Sequence, residues 1–223
     1  MTTIRTVAII GAGQMGSGIA QAIATGGYSV ALYDAVAERV PQAQAAIAAS
    51  LASQIQRGAI DQTAADGALS RITTTSTLKD AAGSDLIIEA AVEDEAVKKA
   101  LLADLVPHLG PDTILASNTS SISITRLASA TDRPERFIGL HFMKPAPVMK
   151  LVEIIRGIAT SATTYDTAVA FAESLGKTTT NAEDFPAFIV NRILVPMINE
   201  AVYALYEGVG SVSAIDKIGR AHV

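Results

Sequence analysis

Thr6-Val-Ala-Ile-Ile-Gly-Ala-Gly-Gln-Met-Gly-Ser-Gly-Ile-Ala20 is the stretch that decides the fold. A short apolar run with the character of a buried strand breaks into Gly11, Gly13 and Gly16 and passes directly into a helical pattern. Gly11 allows the tight turn, Gly13 lets backbone N–H groups approach a pyrophosphate, and Gly16 lets the helix pack close to the strand. Gln14 and Met15 belong to the same turn, and the positive end of the helix dipole faces the anion. A glycine triplet alone is also compatible with an ordinary turn before a helix. The second apolar run, Ser29-Val-Ala-Leu-Tyr33, adds weight because it ends in Asp34, eighteen residues after Gly16. A carboxylate there can accept from the adenosine ribose hydroxyls and repels a 2′-phosphate, so the reading is an NAD site rather than an NADP site.

The 223 residues provide room for one large domain and the start of another. Seventeen Lys and Arg against 22 Asp and Glu leave a formal charge of −5, with no basic block, which argues against nucleic acid as the main partner. There is no cysteine, so disulfides and thiolate metal sites are excluded, and no metal is expected. The first strand starts almost at the N-terminus, without a signal-peptide pattern, and no apolar run reaches the roughly 20 residues of a membrane span. A cytoplasmic protein with no membrane partner is the expectation.

Helical spacing of Ala46, Ile47, Ser50, Leu51, Gln54 and Ile55 predicts a long helix from Val36 to about Arg57, followed by Gly58 and a shorter helix near Ala64–Leu69. Strand-like runs begin at Arg71, Asp85, Thr113, Arg136, Met149 and Lys177, interleaved with helices over Asp94–His108 and near Thr164–Leu175. This alternation predicts an α/β domain of Rossmann type over residues 1–184, with a doubly wound, mainly parallel sheet and an inserted helical hairpin. Asp184-Phe-Pro-Ala-Phe188 marks a boundary. The strongly apolar helical stretch Phe188–Tyr206 then opens an all-α C-terminal domain, and its side chains should be buried against residues mostly further along the chain.

Three more segments carry a second resemblance: Ala116-Ser-Asn-Thr-Ser-Ser-Ile122, Ile138-Gly-Leu-His-Phe-Met-Lys-Pro-Ala-Pro-Val-Met-Lys-Leu-Val-Glu-Ile154 and Pro186-Ala-Phe-Ile-Val-Asn-Arg-Ile-Leu194. Together with the glycine turn they resemble the L-3-hydroxyacyl-CoA dehydrogenase family, over residues 4 to about 217. The resemblance implies that His141 is the general base for the 3-hydroxyl proton. It makes Ser120 a residue that bonds the substrate oxygen and lies by the cofactor, and Asn191 one that helps hold the reacting groups. It further implies cofactor contacts from Glu93, Lys98 and Lys144, and binding of the CoA portion by Ser50 and Arg57.

The residues give independent support for the acid–base pair. His141 ends a strand of a doubly wound sheet, where ligand crevices form, and imidazole titrates near neutral pH. Glu153 lies twelve residues on, past Pro145 and Pro147, so a return strand can bring its carboxylate to the ring. Plainer readings remain beside these: a partly buried histidine for His141, helix capping for Ser120, an interdomain hydrogen bond for Asn191, and a solvated helix N-terminus for Glu93 and Lys98.

The family usually carries Asn at the position of Lys144 and often Gly at that of Ala187, and Arg57 replaces a lysine. Its members continue past Asp216 into helices that complete the acyl-CoA cleft and a homodimer contact. Residues 185–217 therefore read as the start of a truncated C-terminal domain, and residues 218–223 as a foreign tail in which His222 has no function. The resemblance implies NAD-dependent, reversible oxidation of an acyl-CoA substrate, with short-chain 3-hydroxybutyryl-CoA a candidate. A related dehydrogenase for small hydroxy acids without CoA, or a silent NAD-binding module, fits the same motifs.

Overall fold

The computed structural model describes residues 3–220. Its centre is β1 (Thr6–Ile10), whose Val7 and Ile9 join the core on one face while Ala8 and Ile10 join that on the other. A strand apolar on both faces needs cover on both, which is the condition of a parallel sheet between helical layers. The remaining strands are β2 (Ser29–Tyr33), β3 (Ile72–Thr74), β4 (Leu86–Glu89), β5 (Ile114–Ser117), β6 (Phe137–Phe142), β7 (Leu151–Arg156) and β8 (Thr178–Glu183). They form one sheet in the order β3-β2-β1-β4-β5-β6-β7-β8. Pairing is parallel from β3 to β6, antiparallel between β6 and β7, and parallel again between β7 and β8. The chain order reverses at β1 and β4, the place where a doubly wound sheet opens its crevice.

The helices are α1 (Gln14–Thr25), α2 (Arg39–Gln56), α3 (Gln62–Ser70), α4 (Leu78–Ala81), α5 (Glu95–Leu105), α6 (Ile124–Ala128), α7 (Ala162–Ser174), α8 (Val190–Tyr206) and α9 (Val212–Arg220). Ile19, Ile23, Ile47, Leu51 and Phe171 from α1, α2 and α7 fill one core, and Leu102, Leu105, Ile124 and Leu127 from α5 and α6 fill the other. The expected hairpin is α2–α3, turned by Gly58 at φ +67° and restarted by Asp61, whose carboxylate accepts from Ala64 N–H. The short helices α4 and α6 are additions to the sequence reading, each begun by a capping hydroxyl, Thr77 and Ser123.

The apolar face of α8, assigned by its pattern to partners mostly further along the chain, is open among the described residues. No residue of it is buried, and Ile193, Met197 and Val202 are 63, 56 and 60% exposed. α9 is the element it packs against, and among the described residues that short helix leaves most of the apolar face open. The helix of α9 continues through residues 218–220, while residues 221–223 of the expected foreign tail, His222 included, lie outside the described residues.

The junction into α8 is held on both sides. Asp184, just past β8, accepts from Ser123 Oγ–H (2.6 Å), Ile124 N–H (2.9 Å) and Thr125 N–H (2.8 Å), and so caps α6 from sixty residues away. Burial pushes its carboxyl up, but these donors outweigh that and hold it below the ordinary aspartate value of 3.8. Ala187 and Phe188 then adopt left-handed φ values of +68° and +51°, a region costly for residues bearing a Cβ.

Replacing Ala187 by Gly should raise unfolding stability by about 0.5–1 kcal/mol, the relief of left-handed strain less the added freedom of the unfolded chain; chemical denaturation checks this, and a lower stability would show that Ala187 is not strained. A depressed carboxylate stabilises above its unfolded pKa and loses that contribution as pH falls through its folded one. Asp184→Asn should therefore lower stability at neutral pH by about 1–3 kcal/mol, with the difference from the parent shrinking below pH 3.8 in pH-resolved thermal melts.

Candidate active site

The glycine turn is built as its spacing predicts. A Cβ on Gly11, which has φ +114°, would lie 2.5 Å from the Ala90 carbonyl oxygen, and one on Gly16 would lie 1.7 Å from the Gly11 oxygen. A Cβ on Gly13 would meet nothing within 4 Å, so the space above the start of α1 is open where a pyrophosphate needs it. Gly13 is the helix N-cap and no side chain caps it, leaving the first turn with Gln14 and Met15 facing that space. Asp34 accepts from Ala12 N–H and Val36 N–H, both at 2.8 Å, which ties the end of β2 to the turn. A carboxylate has further lone pairs, so two ribose hydroxyls can still be accepted. Open clefts lie on both sides of the turn: one of about 380 Å³ is lined by Asp34, Val40, Pro41 and Thr75, and one of about 590 Å³ by Gly13, Ser17, Arg39, Ser50 and Pro147. These features fit a dinucleotide.

A polar lattice crosses the ends of β4 and β5. Glu89, 1% exposed, takes Lys98 Nζ (2.7 Å) and Ala91 N–H (2.7 Å) on Oε1 and Ser117 Oγ–H (2.6 Å) on Oε2. Lys98 is also 1% exposed, and its ammonium reaches Glu93 Oε2 at 3.5 Å. Glu93 Oε1 gathers Thr119 Oγ–H (2.6 Å), Ser120 N–H (2.8 Å) and the hydroxyls of Ser120 and Ser121. Burial pushes the Glu93 carboxyl up, while Thr119, Ser120 and the nearby Lys98 charge bring it below the usual range. A solvated helix face is therefore the wrong description of Lys98. The capping alternative for Ser120 also fails, because Ser123 caps α6 while Thr119 Oγ accepts from Ile122 N–H.

His141 and Glu153 stand directly opposite each other in the antiparallel register of β6 and β7. Side chains at such positions share a face, and Nδ1–H of the ring donates to Glu153 Oε2 at 3.0 Å. Oε1 of the same carboxylate accepts from Ile189 N–H (2.6 Å) and Val190 N–H (3.0 Å), the start of α8. The left-handed turn at Ala187 and Phe188 is what aims those two N–H groups, and it also sets the Phe188 ring edge-on to His141. Glu153 is fully buried, which pushes its carboxyl up, but the imidazole and the two N–H groups hold it below the ordinary glutamate value. Asn191, one residue into α8, donates its amide to the Ser120 carbonyl at 3.1 Å. Glu93, Ser120, Asn191, Glu153 and His141 thus form one connected set.

Three sequence candidates sit apart from it. Ser50 lines the 590 Å³ cleft, whereas Arg57 is exposed just past the end of α2, and among the described residues its guanidinium bonds only Ser53 O. Lys144 is exposed on the loop after β6 and makes no hydrogen bond or ion pair among the described residues. Its neighbours are fixed by Lys177, whose ammonium holds the carbonyls of Ala146 (2.7 Å) and Met149 (2.9 Å). Sequence reasoning missed Glu89 and Asn118. Asn118 Oδ1 accepts from Phe142 N–H at 2.8 Å and pins the strand end beside His141. The signal for both was a polar residue closing an apolar strand run, at the edge where crevices form.

Among the described residues no helix is long and apolar enough to cross a membrane, and no group of three or more His, Asp and Glu is arranged to hold a metal. Residues 6–185 match the family model of the 3-hydroxyacyl-CoA dehydrogenase NAD-binding domain, and residues 188–223 match that of the C-terminal domain. A 3-hydroxybutyryl-CoA dehydrogenase of Bradyrhizobium diazoefficiens is 54% identical over 222 residues, covering 98% of this chain and 76% of the relative. A probable 3-hydroxybutyryl-CoA dehydrogenase of Bacillus subtilis is 46% identical over 215 residues, covering 96% and 75%. The crystal structure of (S)-3-hydroxybutyryl-CoA dehydrogenase from Ralstonia eutropha superposes with a TM-score of 0.90 at 45% identity, over 95% of this chain and 75% of that one. With its glycine turn, buried His–Glu pair and two matching domain models, the chain belongs to the 3-hydroxyacyl-CoA dehydrogenase family.

Proposed function

We propose that this chain oxidises the 3-hydroxyl of a (3S)-3-hydroxyacyl-CoA to the ketone, reversibly, with NAD⁺ as acceptor and with short acyl chains such as 3-hydroxybutyryl among its substrates. The observation that carries this reading is the His141–Glu153 pair, buried at the same C-terminal edge of the parallel strands as the open glycine turn. Glycine turn, Asp34 and Glu93 would hold the dinucleotide, which supplies the hydride acceptor when bound. His141 holds its Nδ1 proton against Glu153, so Nε2 carries the lone pair that takes the hydroxyl proton as C3 gives up hydride. Glu153 stabilises the imidazolium so formed and fixes the ring's orientation. Ser120 offers its hydroxyl to the substrate oxygen, and Asn191 fixes the Ser120 backbone from the opposite domain. In the reverse direction His141 returns the proton. Ser50 and Arg57, at the middle and end of α2, are assigned to the CoA portion, and Lys144 to the cofactor. The cysteine-free composition supports a cytoplasmic location, and the open apolar face of α8 supports a homodimer.

His141→Gln should lower turnover of 3-hydroxybutyryl-CoA by roughly 10²–10⁴-fold with NADH affinity nearly unchanged, measured by NADH absorbance and by fluorescence titration; near-normal turnover would remove His141 from the mechanism. Asp34 should make NADH bind on the order of 10²-fold more tightly than NADPH, since a 2′-phosphate would meet a like charge in a half-enclosed site. Equal affinities in parallel titrations would withdraw Asp34 from ribose recognition.

A further inference from the structure

Glu89 contributes no group to a ligand, yet the sheet places a charge there that it would cost less to omit. A carboxylate that is 1% exposed must be fully paired, and it is: Lys98, Ala91 N–H and Ser117 between them engage both oxygens. Lys98 is shared with Glu93 at 3.5 Å. The cluster therefore holds two carboxylates around one ammonium and carries a net charge of −1. Its other near charges cancel, because the two carboxylates of Asp94 and Glu95 at the start of the same helix stand against Lys99 (2.8 Å from Glu95) and Arg126 (3.0 Å from Glu95). The position matters as much as the sign. The cluster closes the ends of β4 and β5, on the far side of the β1/β4 reversal from Asp34, and it is bonded through Ser120 to the segment that meets Asn191. A dinucleotide with its adenosine over β2 and its reactive ring near His141 must lay that ring along this stretch. The ring is a cation when oxidised and neutral when reduced.

We propose that Glu89 sets the preference of this site for the oxidised over the reduced dinucleotide, by turning a neutral Lys98–Glu93 pair into a cluster of net charge −1 beside the ring. The inference rests on the dinucleotide reading of the site given above. A purely structural role for Glu89 would affect both redox forms nearly alike, because the two share every group except the ring, which differs in its charge and in one added hydrogen at C4. A fixed negative charge in a poorly solvated crevice acts on the cation alone. Glu153 adds negative charge nearby, but it is common to all the variants compared and drops out of their ratios.

The test is the pair of dissociation constants for NAD⁺ and NADH, by calorimetry or fluorescence on the purified chain, which reads binding rather than turnover. Glu89→Gln should weaken NAD⁺ by about tenfold while changing NADH less than about twofold. Glu89→Gln combined with Lys98→Gln restores a net −1 through Glu93, and should return the ratio to within about twofold of the parent. Should the buried substitution fail to fold, Glu93→Gln at the half-exposed lip removes one charge without emptying the core, and should move the ratio in the same direction. Equal weakening of both forms by Glu89→Gln, or an unchanged ratio in Glu93→Gln, would overturn the proposal. Failure of the parent chain to bind either form would overturn the cofactor reading beneath it, a result distinguishable from a parent that binds both and variants that keep its ratio.

Discussion

One carboxylate joins the two parts of this molecule. Glu153 gives one oxygen to the imidazole of His141 and the other to the first N–H groups of α8, from the interior of the sheet. A buried carboxylate is tolerated only when its lone pairs are filled, and here the partners come from two different domains. The ring that handles the proton and the helix that carries Asn191 are therefore positioned by the same group. Displacing α8 would leave a buried charge half-satisfied, so the seating of the second domain and the orientation of the base are energetically one event.

The same economy appears across the crevice. Glu93 collects a backbone N–H and three hydroxyls on one oxygen, so the serine loop has little freedom once Lys98 has fixed Glu93. Lys98 in turn is fixed by Glu89 and almost wholly buried. Rigid polar chains of this kind, anchored at strand ends, hold a reaction geometry without reorganisation at the moment of proton transfer. The open part of the site is confined to the glycine turn and its flanking clefts, where a ligand supplies the missing contacts.

Much of this was legible in the chain. The strand runs, the hairpin and the glycine turn follow from apolar patterning and steric need, because buried parallel strands have no polar face to confuse their reading. His141 and Glu153 could be paired in advance because two prolines force a turn between two strands. Short α4 was not legible and α6 showed only as a capping signal around Ser120: four or five residues hold too little periodicity, and their start depends on one hydroxyl each. Lys98 and Glu89 were hidden for a different reason. Charged side chains read as exposed by default, and only three-dimensional pairing shows that these are core residues. The apolar face of α8 was legible as one that wants cover, and it stands open among the described residues because helical periodicity does not say what covers it. Ala187 illustrates the converse, for a departure from the usual glycine gains its meaning only from the φ of +68° found there.

The ladder between β6 and β7 has a consequence for how such a site can diversify. His141 and Glu153 face each other because of strand register, to which the proline-bearing connection of residues 143–150 contributes by turning the chain back. Substitutions at the exposed positions of that connection leave the ladder in place, whereas a one-residue slip in either strand would send one partner to the opposite face of the sheet. The same connection lines the wall of the larger cleft through Pro145 and Pro147. Composition there can vary, reshaping what the cleft admits, while the register that pairs His141 with Glu153 is kept.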